Sequence, residues 1–223
     1  MPSMHARRPG MPNRRNPRSS TVSRQQLRTE TTRRKLLGAA ERIFARSGFE
    51  AARLEDIAAL AGYTRGAFYA NFEGKEDIFF ALLEDWVGRR IATVEAVLER
   101  DLSAAERLRE LREYYAQLAT DRRFVLLSFE FRLFAIRHPR AHARLRAWQR
   151  RLRATVGNIL RRVMKESGRA LPLSGIAVAT GFGALSNALL LEHLVDQHSV
   201  SEEEIRHLLG VFFDAVLGNR TAP

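Results

Sequence analysis

The sequence contains no cysteine, which excludes a disulfide scaffold, a thiolate nucleophile and any metal site built on cysteine ligands. It also contains no HExxH, GxSxG, Walker A or GxGxxG motif. Strand-type alternation of apolar and polar residues is absent over any useful length. These absences disfavour an enzyme and a β-rich fold, and we expect neither a cofactor nor a bound metal ion.

Acidic residues are few compared with basic ones: 25 Asp and Glu stand against 37 Lys and Arg, a net charge of +12 over 223 residues. Residues 1–28 carry seven arginines, four of the seven prolines and no acidic residue. This segment buries too little apolar surface to offset its ordering entropy, so we predict a disordered basic tail. It is either an arm for DNA phosphates or a solvated tail. In residues 137–169 eleven basic residues accompany only Glu166, which favours a long helix with a solvated arginine face. The alternatives for this stretch are a second nucleic-acid surface and a site for an anionic ligand.

The segment from Ala170 to Leu191 has no charged residue and is long enough to span a bilayer. Several of its residues are polar or glycine, so its hydrophobicity is weak. Gly175, Ala179 and Gly183 recur at a spacing that lets another helix approach closely. We therefore predict a buried or subunit-interface helix and no membrane association. A membrane-tethered regulator anchored through residues 170–191 remains a less favoured alternative.

Helical periodicity continues through almost every segment after residue 29. Capping residues and glycines mark the ends of about nine helices, which makes the predicted fold all-α. The expected helices are Thr32 to Ser47, Leu54 to Ala61, Thr64 to about Asn71, Lys75 to about Arg100, Ser103 to about Thr120, Arg122 to about Arg137, Pro139 to about Glu166, Leu173 to about Gln197, and Ser201 to near Gly218.

The most informative stretch is a pair of short helices over about residues 53–72. Gly62 permits a sharp backbone turn between them and Thr64 is a good N-cap for the second, which is the arrangement of a helix-turn-helix. Ala67 and Phe68 suit the core side of this second helix, whereas its other side is polar. This other side carries Arg65, Tyr69 and Asn71, and Gly66 keeps the helix slim enough to approach DNA. These residue types suit a helix that contacts bases in a DNA groove.

The motifs that carry a family resemblance lie between residues 30 and 80. They are Leu36-Leu-Gly-Ala-Ala-Glu-Arg-Ile-Phe44, Gly48-Phe49, Ile57-Ala-Ala-Leu-Ala-Gly62, Thr64-Arg-Gly-Ala-Phe-Tyr-Ala-Asn-Phe72 and Lys75-Glu76. With this joint spacing the segment resembles the DNA-binding head of TetR-family transcriptional regulators. Beyond residue 80 the resemblance extends only to length and all-helical character.

This resemblance implies an Ω-shaped, cytoplasmic homodimer that binds a double-stranded DNA operator. Residues 29–76 would form the helix-turn-helix domain and residues 77–218 the domain for dimerisation and for a small-molecule effector. The positions that match family DNA contacts are Arg53, Thr64, Arg65, Gly66, Ala67, Tyr69, Asn71 and Lys75.

Arg53 departs from the family pattern, which often has Thr at the N-cap of the second helix. Arginine reaches a phosphate but does not cap as Thr does. Glu55 and Asp56 in the first turn compensate in part through the helix dipole.

Aromatic residues of the C-terminal part are candidates for an effector pocket, although most are expected to be core. Those chosen are Trp86, Phe129, Phe131, Phe134 and Trp148. Glu130 lies within this apolar run, where burial would require a partner such as Arg132, an arginine of the next helix or a cationic ligand. Exposure at the surface is the alternative.

The sequence therefore favours a dimeric transcription factor, a repressor that leaves a palindromic operator when a small molecule binds. The alternative is an architectural DNA-binding protein without an effector, which uses the basic tail and the basic seventh helix. That alternative predicts weak sequence preference and a steep dependence of affinity on salt.

Overall fold

The computed structural model describes residues 24–118 and 121–218. Within those ranges the chain forms nine α-helices and no strand, which confirms the predicted all-α class. The helices are α1 (Arg24–Ala51), α2 (Leu54–Leu60), α3 (Arg65–Tyr69), α4 (Lys75–Glu99), α5 (Ala104–Leu118), α6 (Arg122–Arg137), α7 (Pro139–Glu166), α8 (Gly175–Val195) and α9 (Glu202–Leu217). We call α1–α3 the head and α4–α9 the bundle.

Local capping explains most of the helix starts. The Asp121 side chain accepts a hydrogen bond from the backbone N–H of Phe124, and the Ser174 hydroxyl caps α8. Ser201 and Glu204 form a reciprocal capping box at the start of α9. These caps satisfy N–H groups that have no partner within the helix.

The first helix differs from the prediction at its N-terminus. It begins at Arg24, before Thr32, so residues 24–28 are helical and do not belong to a disordered tail. This stretch consists of arginine, glutamine and leucine, which favour a helix. It also contains no proline to interrupt one, because the last proline of the tail is Pro17. The rest of the predicted tail, residues 1–23, lies outside the described residues.

Gly48 interrupts α1 near its end, as predicted for a helix stop. Its backbone has φ 74° and ψ 173°, and the helical turn after it reaches Ala51. A positive φ of this size favours glycine. The kink directs Phe49 into the core, where its side chain is fully buried.

The head and the bundle share one hydrophobic cluster that includes residues from Leu36 to Trp148. Phe49 of the head lies with its ring centroid 4.9 Å from that of Phe131 on α6 and 5.1 Å from that of Phe79 on α4. Phe79 and Phe131 are stacked at 4.3 Å. Aromatic pairs at these distances add about 0.5–1.5 kcal/mol each beyond the area they bury. Any movement of the head against α6 therefore requires these rings to repack.

A hydrogen bond reinforces the same junction. The Glu130 carboxylate accepts a hydrogen bond of 2.6 Å from the backbone N–H of Phe49. Glu130 is an exposed residue, which is the alternative that the sequence left open for it. Its hydrogen-bond partner is the Phe49 main chain and not one of the arginines that the sequence suggested. The kink at Gly48 leaves this N–H outside the regular helix ladder, which is why an acceptor from α6 is needed.

Helices α7 and α8 cross at two glycines. A Cβ built on Gly157 would lie 2.6 Å from the carbonyl carbon of Gly175, and one built on Gly175 would lie 2.6 Å from the Gly157 oxygen. The two backbones are thus in direct contact, as the small-residue spacing of α8 predicted for Gly175.

In length and composition α8 is apolar enough to cross a membrane, the one such helix in the part of the chain that the structure describes. A single helix of this kind is weak evidence for a membrane span, because core helices of soluble proteins share its properties. Only 28% of its most apolar window is buried within the protomer, which leaves an apolar face uncovered.

The α7–α8 crossing gives a stability prediction. Gly157→Ala should lower the free energy of unfolding by about 1–3 kcal/mol, because the added methyl group overlaps backbone that has no room to move. Gly88→Ala is the matched control, since Gly88 is an exposed glycine within α4 and its Cβ would meet nothing within 4 Å. That change should stabilise by about 0.5–1 kcal/mol. Urea unfolding measures both, and equal effects of the two substitutions would contradict the close crossing.

The Glu130 junction gives a second prediction. Glu130→Ala should destabilise by about 1–2 kcal/mol, because it leaves the Phe49 N–H without its charged acceptor. Glu130→Gln retains an acceptor oxygen and should cost less than half as much. Thermal unfolding of both variants measures the difference. If Glu130→Ala proves as stable as the unchanged protein, the hydrogen bond does not hold the head.

Candidate DNA-binding surface and effector cavity

The helix-turn-helix has the geometry expected from its turn residues. Gly62 adopts φ 77°, which lets the chain reverse between α2 and α3. The Thr64 hydroxyl accepts a hydrogen bond of 3.2 Å from the backbone N–H of Ala67. Thr64 therefore caps α3, as predicted, and the start of α3 lies at the protein surface.

A five-residue helix is too short to be stable alone, and the head supplies the missing stabilisation. Phe68 is fully buried and Phe72 is 2% exposed. Arg33 of α1 lies over the Phe72 ring and donates a hydrogen bond of 3.1 Å to the backbone oxygen of Asn71. The core thus fixes the inner side of α3 and leaves its outer side to solvent.

Four of the eight predicted DNA contacts lie together on that outer side. Thr64, Arg65, Gly66 and Tyr69 are all exposed, and Tyr69 retains 46% of its accessible surface. We call these four residues the α3 surface. A Cβ on Gly66 would meet only the Thr64 hydroxyl oxygen, at 3.8 Å. Without a side chain at this position, the backbone of α3 is accessible from the outer side.

Arg65 is held in place by two neighbours. It forms an ion pair of 3.0 Å with Glu55 on α2 and donates a hydrogen bond of 3.3 Å to the Tyr69 hydroxyl. The hydrogen bond to Tyr69 and the charge of Glu55 raise the pKa of Arg65, so the guanidinium stays charged. Because both members of the ion pair are more than half exposed, the pair contributes little stability. A phosphate or a base edge can replace Glu55 at small cost.

The other four predicted contacts lie around the α3 surface. Arg53 is exposed at the N-cap of α2 and makes no capping hydrogen bond, as expected for an arginine in a position that suits Thr. Ala67 is half-buried. Asn71 is half-buried beyond the end of α3, where its amide donates a hydrogen bond of 2.8 Å to the Ala67 oxygen. This bond uses one of the two amide N–H donors and leaves the side-chain oxygen for a partner.

Lys75, the last of the eight, is half-buried. Its ammonium donates a hydrogen bond of 2.6 Å to the backbone oxygen of Glu50 and lies 4.9 Å from the centre of the Phe49 ring. Burial lowers the pKa of Lys75. Lys75 therefore fastens the start of α4 to the end of α1, and its remaining ammonium protons are available to a phosphate.

The bundle encloses a cavity of about 360 Å³ between α4 and the five helices that follow it. This volume lies within the range of about 300–1,000 Å³ that is typical of small-molecule sites. Most of the wall is apolar. Two of the five aromatic residues chosen from the sequence, Trp148 and Phe131, line the cavity.

The other three aromatic residues predicted for the pocket do not line it. Trp86 lies behind Phe124, with ring centroids 5.4 Å apart, and Phe124 faces the cavity. Phe134 stacks on His138 at 3.9 Å and contacts Phe49. Phe129 lies beside Arg132, whose guanidinium carbon is 5.7 Å from the ring centre. The helical phase of α6 directs positions 129 and 134 away from the stripe that faces the cavity.

Sequence reasoning missed the polar side chains of the wall, above all Arg132, Arg153 and Ser128. The signal for them was present. On α6 the cavity stripe is 124, 125, 128, 131 and 132, and on α7 it includes 145, 148, 149, 152, 153 and 156. Arg132 and Arg153 interrupt otherwise apolar stripes with the i, i+3, i+4 spacing of one helix face.

Among the described residues no three His, Asp or Glu side chains lie close enough to hold a metal ion. Two of the described histidines are hydrogen-bonded locally. His138 and His193 each place Nδ1 within 2.8 Å of a backbone oxygen.

Comparison with known proteins supports the resemblance of the head. Residues 36–82 match the family model "Bacterial regulatory proteins, tetR family". The transcriptional regulator TtgR of Pseudomonas putida is 43% identical over 63 residues, which is 28% of this chain and 30% of TtgR. The nicotine-responsive repressor HdnoR of Paenarthrobacter nicotinovorans is 28% identical over 116 residues, 51% of this chain and 59% of HdnoR. The chain thus matches about a third of the length of TtgR and less than two thirds of the length of HdnoR.

The whole described fold also has counterparts among solved structures. The transcriptional regulator FadR of Bacillus subtilis in complex with stearoyl-CoA superimposes with a TM-score of 0.61 at 17% identity. The match covers 84% of this chain and 99% of that one. At this identity the likeness concerns the fold alone. Residues 36–82 thus match a tetR-type regulatory domain, and the described chain shares the fold of that regulator.

Proposed function

We propose that the protein is a sequence-specific transcriptional repressor that binds a palindromic operator as a homodimer and is released by a small molecule. The observation that carries the proposal is the α3 surface, a capped short helix that exposes an arginine and a tyrosine while its inner side is fixed in the core. Arginine bonds guanine through two hydrogen bonds, and tyrosine bonds phosphate or contacts a thymine methyl group.

The contacts proposed for DNA divide into two groups. Arg65, Gly66, Ala67 and Tyr69 enter the major groove along the exposed side of α3. Thr64, Arg53 and Lys75 lie around it and bond phosphates, and Asn71 contributes its side-chain oxygen. The DNA-binding domain comprises the predicted residues 29–76 together with the helical stretch from Arg24 that precedes them. The bundle binds the effector and the second protomer. The protein acts in the cytoplasm, where its operator is.

Dimerisation is supported by the outer faces of α8 and α9. Ile176 on α8 and Val211 on α9 are each 51% exposed, and Leu208 is 45% exposed. A second copy that covers these side chains removes apolar surface from water. In a symmetric dimer the two α3 surfaces meet successive turns of one DNA face, about 34 Å apart.

Release requires that the effector bind the two conformations of the protein with different affinity. Phe131 provides the physical link, because its side chain lines the cavity, stacks on Phe79 and meets the Phe49 ring edge to face. A ligand that displaces Phe131 changes the packing of the head on α6. The nicotine-responsive HdnoR and the stearoyl-CoA complex of FadR are family and fold precedents for control by a small molecule.

The α3 surface is tested by substitution of its two largest side chains. Arg65→Ala and Tyr69→Ala should each reduce affinity for a DNA duplex selected from random sequence by at least about tenfold, the loss of one good base or phosphate contact. Fluorescence anisotropy measures the affinity. Both residues are exposed, so thermal unfolding should change little. Retention of full affinity by both variants would contradict the proposal.

The architectural alternative is tested by removal of residues 2–23 and, separately, by Arg150→Ala on the basic face of α7. The repressor proposal expects sequence preference to survive both changes, with a modest loss of affinity and a shallower salt dependence for the truncated chain. The architectural alternative expects binding to collapse without the tail and to weaken with Arg150→Ala. Titrations of selected and scrambled duplexes at several salt concentrations separate the two.

A further inference from the structure

Among the described residues, those that line the effector cavity carry positive charge and no negative charge. Three arginines line it, Arg90, Arg132 and Arg153, whereas none of the described Asp and Glu residues does. The rest of the lining is predominantly apolar, with a few neutral polar groups. Because an apolar wall weakens the solvation of a charge, unbalanced arginines in such a place favour an anion.

The three arginines differ in how their charge is balanced. Arg90 forms an ion pair of 2.6 Å with Asp121, and its guanidinium lies 3.9 Å above the Phe124 ring. Arg132 and Arg153 have no ion pair with an acidic residue within the described chain. Burial and then the neighbouring charge of Arg153 lower the pKa of Arg132, which indicates two guanidinium groups that repel each other in a poorly hydrated place. Arginine nevertheless keeps its proton.

Ser128 adds a second, independent observation. It lies on the cavity wall one helical turn before Arg132, its side chain is only 7% exposed, and its hydroxyl has no hydrogen-bond partner among the described residues. Leaving a buried hydroxyl without a partner is energetically unfavourable. A ligand oxygen is the kind of group that would satisfy it, since a hydroxyl donates readily to an anion.

We propose that the cavity binds an amphipathic organic anion, a molecule with one terminal oxyanion such as a carboxylate and an apolar body. The oxyanion is held by Arg132 and Arg153 and accepts a hydrogen bond from Ser128. The apolar body lies against Trp148 and Phe131. This inference rests on the proposed function, because it names the chemical class of the effector that releases the repressor.

The fold alone does not determine the chemical class of the effector. HdnoR responds to nicotine, an amine, and the FadR complex holds an acyl-CoA, so related proteins respond to chemically different molecules. The assignment for this chain depends on its own wall residues, in particular on two arginines that have no acidic partner.

The test compares three straight-chain probes of equal length: decanoate, decanol and decyltrimethylammonium, all below the concentrations at which they form micelles. Isothermal titration calorimetry on the full chain measures binding, and Trp148 in the cavity wall provides a fluorescence signal from the site. Decanoate should bind at least about tenfold more tightly than either other probe, because hydrogen bonds to charged groups contribute more than neutral ones. Equal or tighter binding of decanol or of the cation, or no binding of any probe, would overturn the assignment.

Variants locate the headgroup site. The double variant R132Q/R153Q should lose about tenfold or more in decanoate affinity while its decanol affinity stays the same. Arg150→Gln, on the same helix as Arg153 but exposed and outside the cavity wall, should leave both unchanged. Thermal unfolding establishes that the double variant is folded, and removal of two repelling charges should not destabilise it. Unchanged decanoate affinity in the folded double variant would refute the role of the two arginines.

A parallel measurement keeps this inference separate from the proposed function. DNA affinity of the ligand-free protein is measured on the selected duplex, and decanoate is then added. Sequence-specific DNA binding without carboxylate preference overturns only the anion assignment. Carboxylate preference without sequence-specific DNA binding overturns the repressor and leaves the anion site intact.

Discussion

The contact between Phe49, Phe79 and Phe131 is the constraint on which the rest of the structure depends. It joins the end of α1, the start of α4 and the middle of α6 in a single aromatic cluster. Because interiors are close-packed, a shift of one ring is transmitted to its neighbours and not absorbed by empty space. Phe131 is also part of the cavity wall. The head and the cavity are therefore adjacent parts of one core, and the coupling that we propose between them needs no long path through the protein.

In the head, α3 is exposed although it is too short to be stable by itself. It is stabilised by a positive-φ turn at Gly62, a cap at Thr64 and two buried phenylalanines, Phe68 and Phe72. Each of these features satisfies a backbone group or buries an apolar one. None of them uses the side chains of Arg65 and Tyr69 as structural anchors, so those side chains are available for DNA.

Much of the fold was predictable because its determinants are local. Ser103, Asp121, Thr64 and Ser201 each begin a helix through a bond to the residue three positions later. Gly48, Gly62 and His138-Pro139 interrupt helices for backbone reasons that the residue type alone reveals. The start of α1 was placed too late because the content of Arg and Pro in the tail outweighed the good helix formers that follow Pro17.

The site was less predictable because its parts come together through tertiary packing. The hydrogen bond from the Phe49 N–H to Glu130 joins residues 81 positions apart, and the local sequence around either residue does not predict it. The aromatic residues chosen for the cavity were selected by type, whereas helical phase decides which of them face it. Arg132 and Arg153 are polar residues on apolar stripes, and that pattern was a better signal than aromatic content.

The central claim is that α3 of each protomer enters the major groove of one operator. Hydroxyl-radical footprinting of the full chain on the DNA upstream of its own gene tests this claim most directly. The account predicts two protected half-sites related by a palindrome, on one face of the duplex and about one helical turn apart. Uniform protection along the fragment, or a single protected half-site at saturating protein, would contradict it.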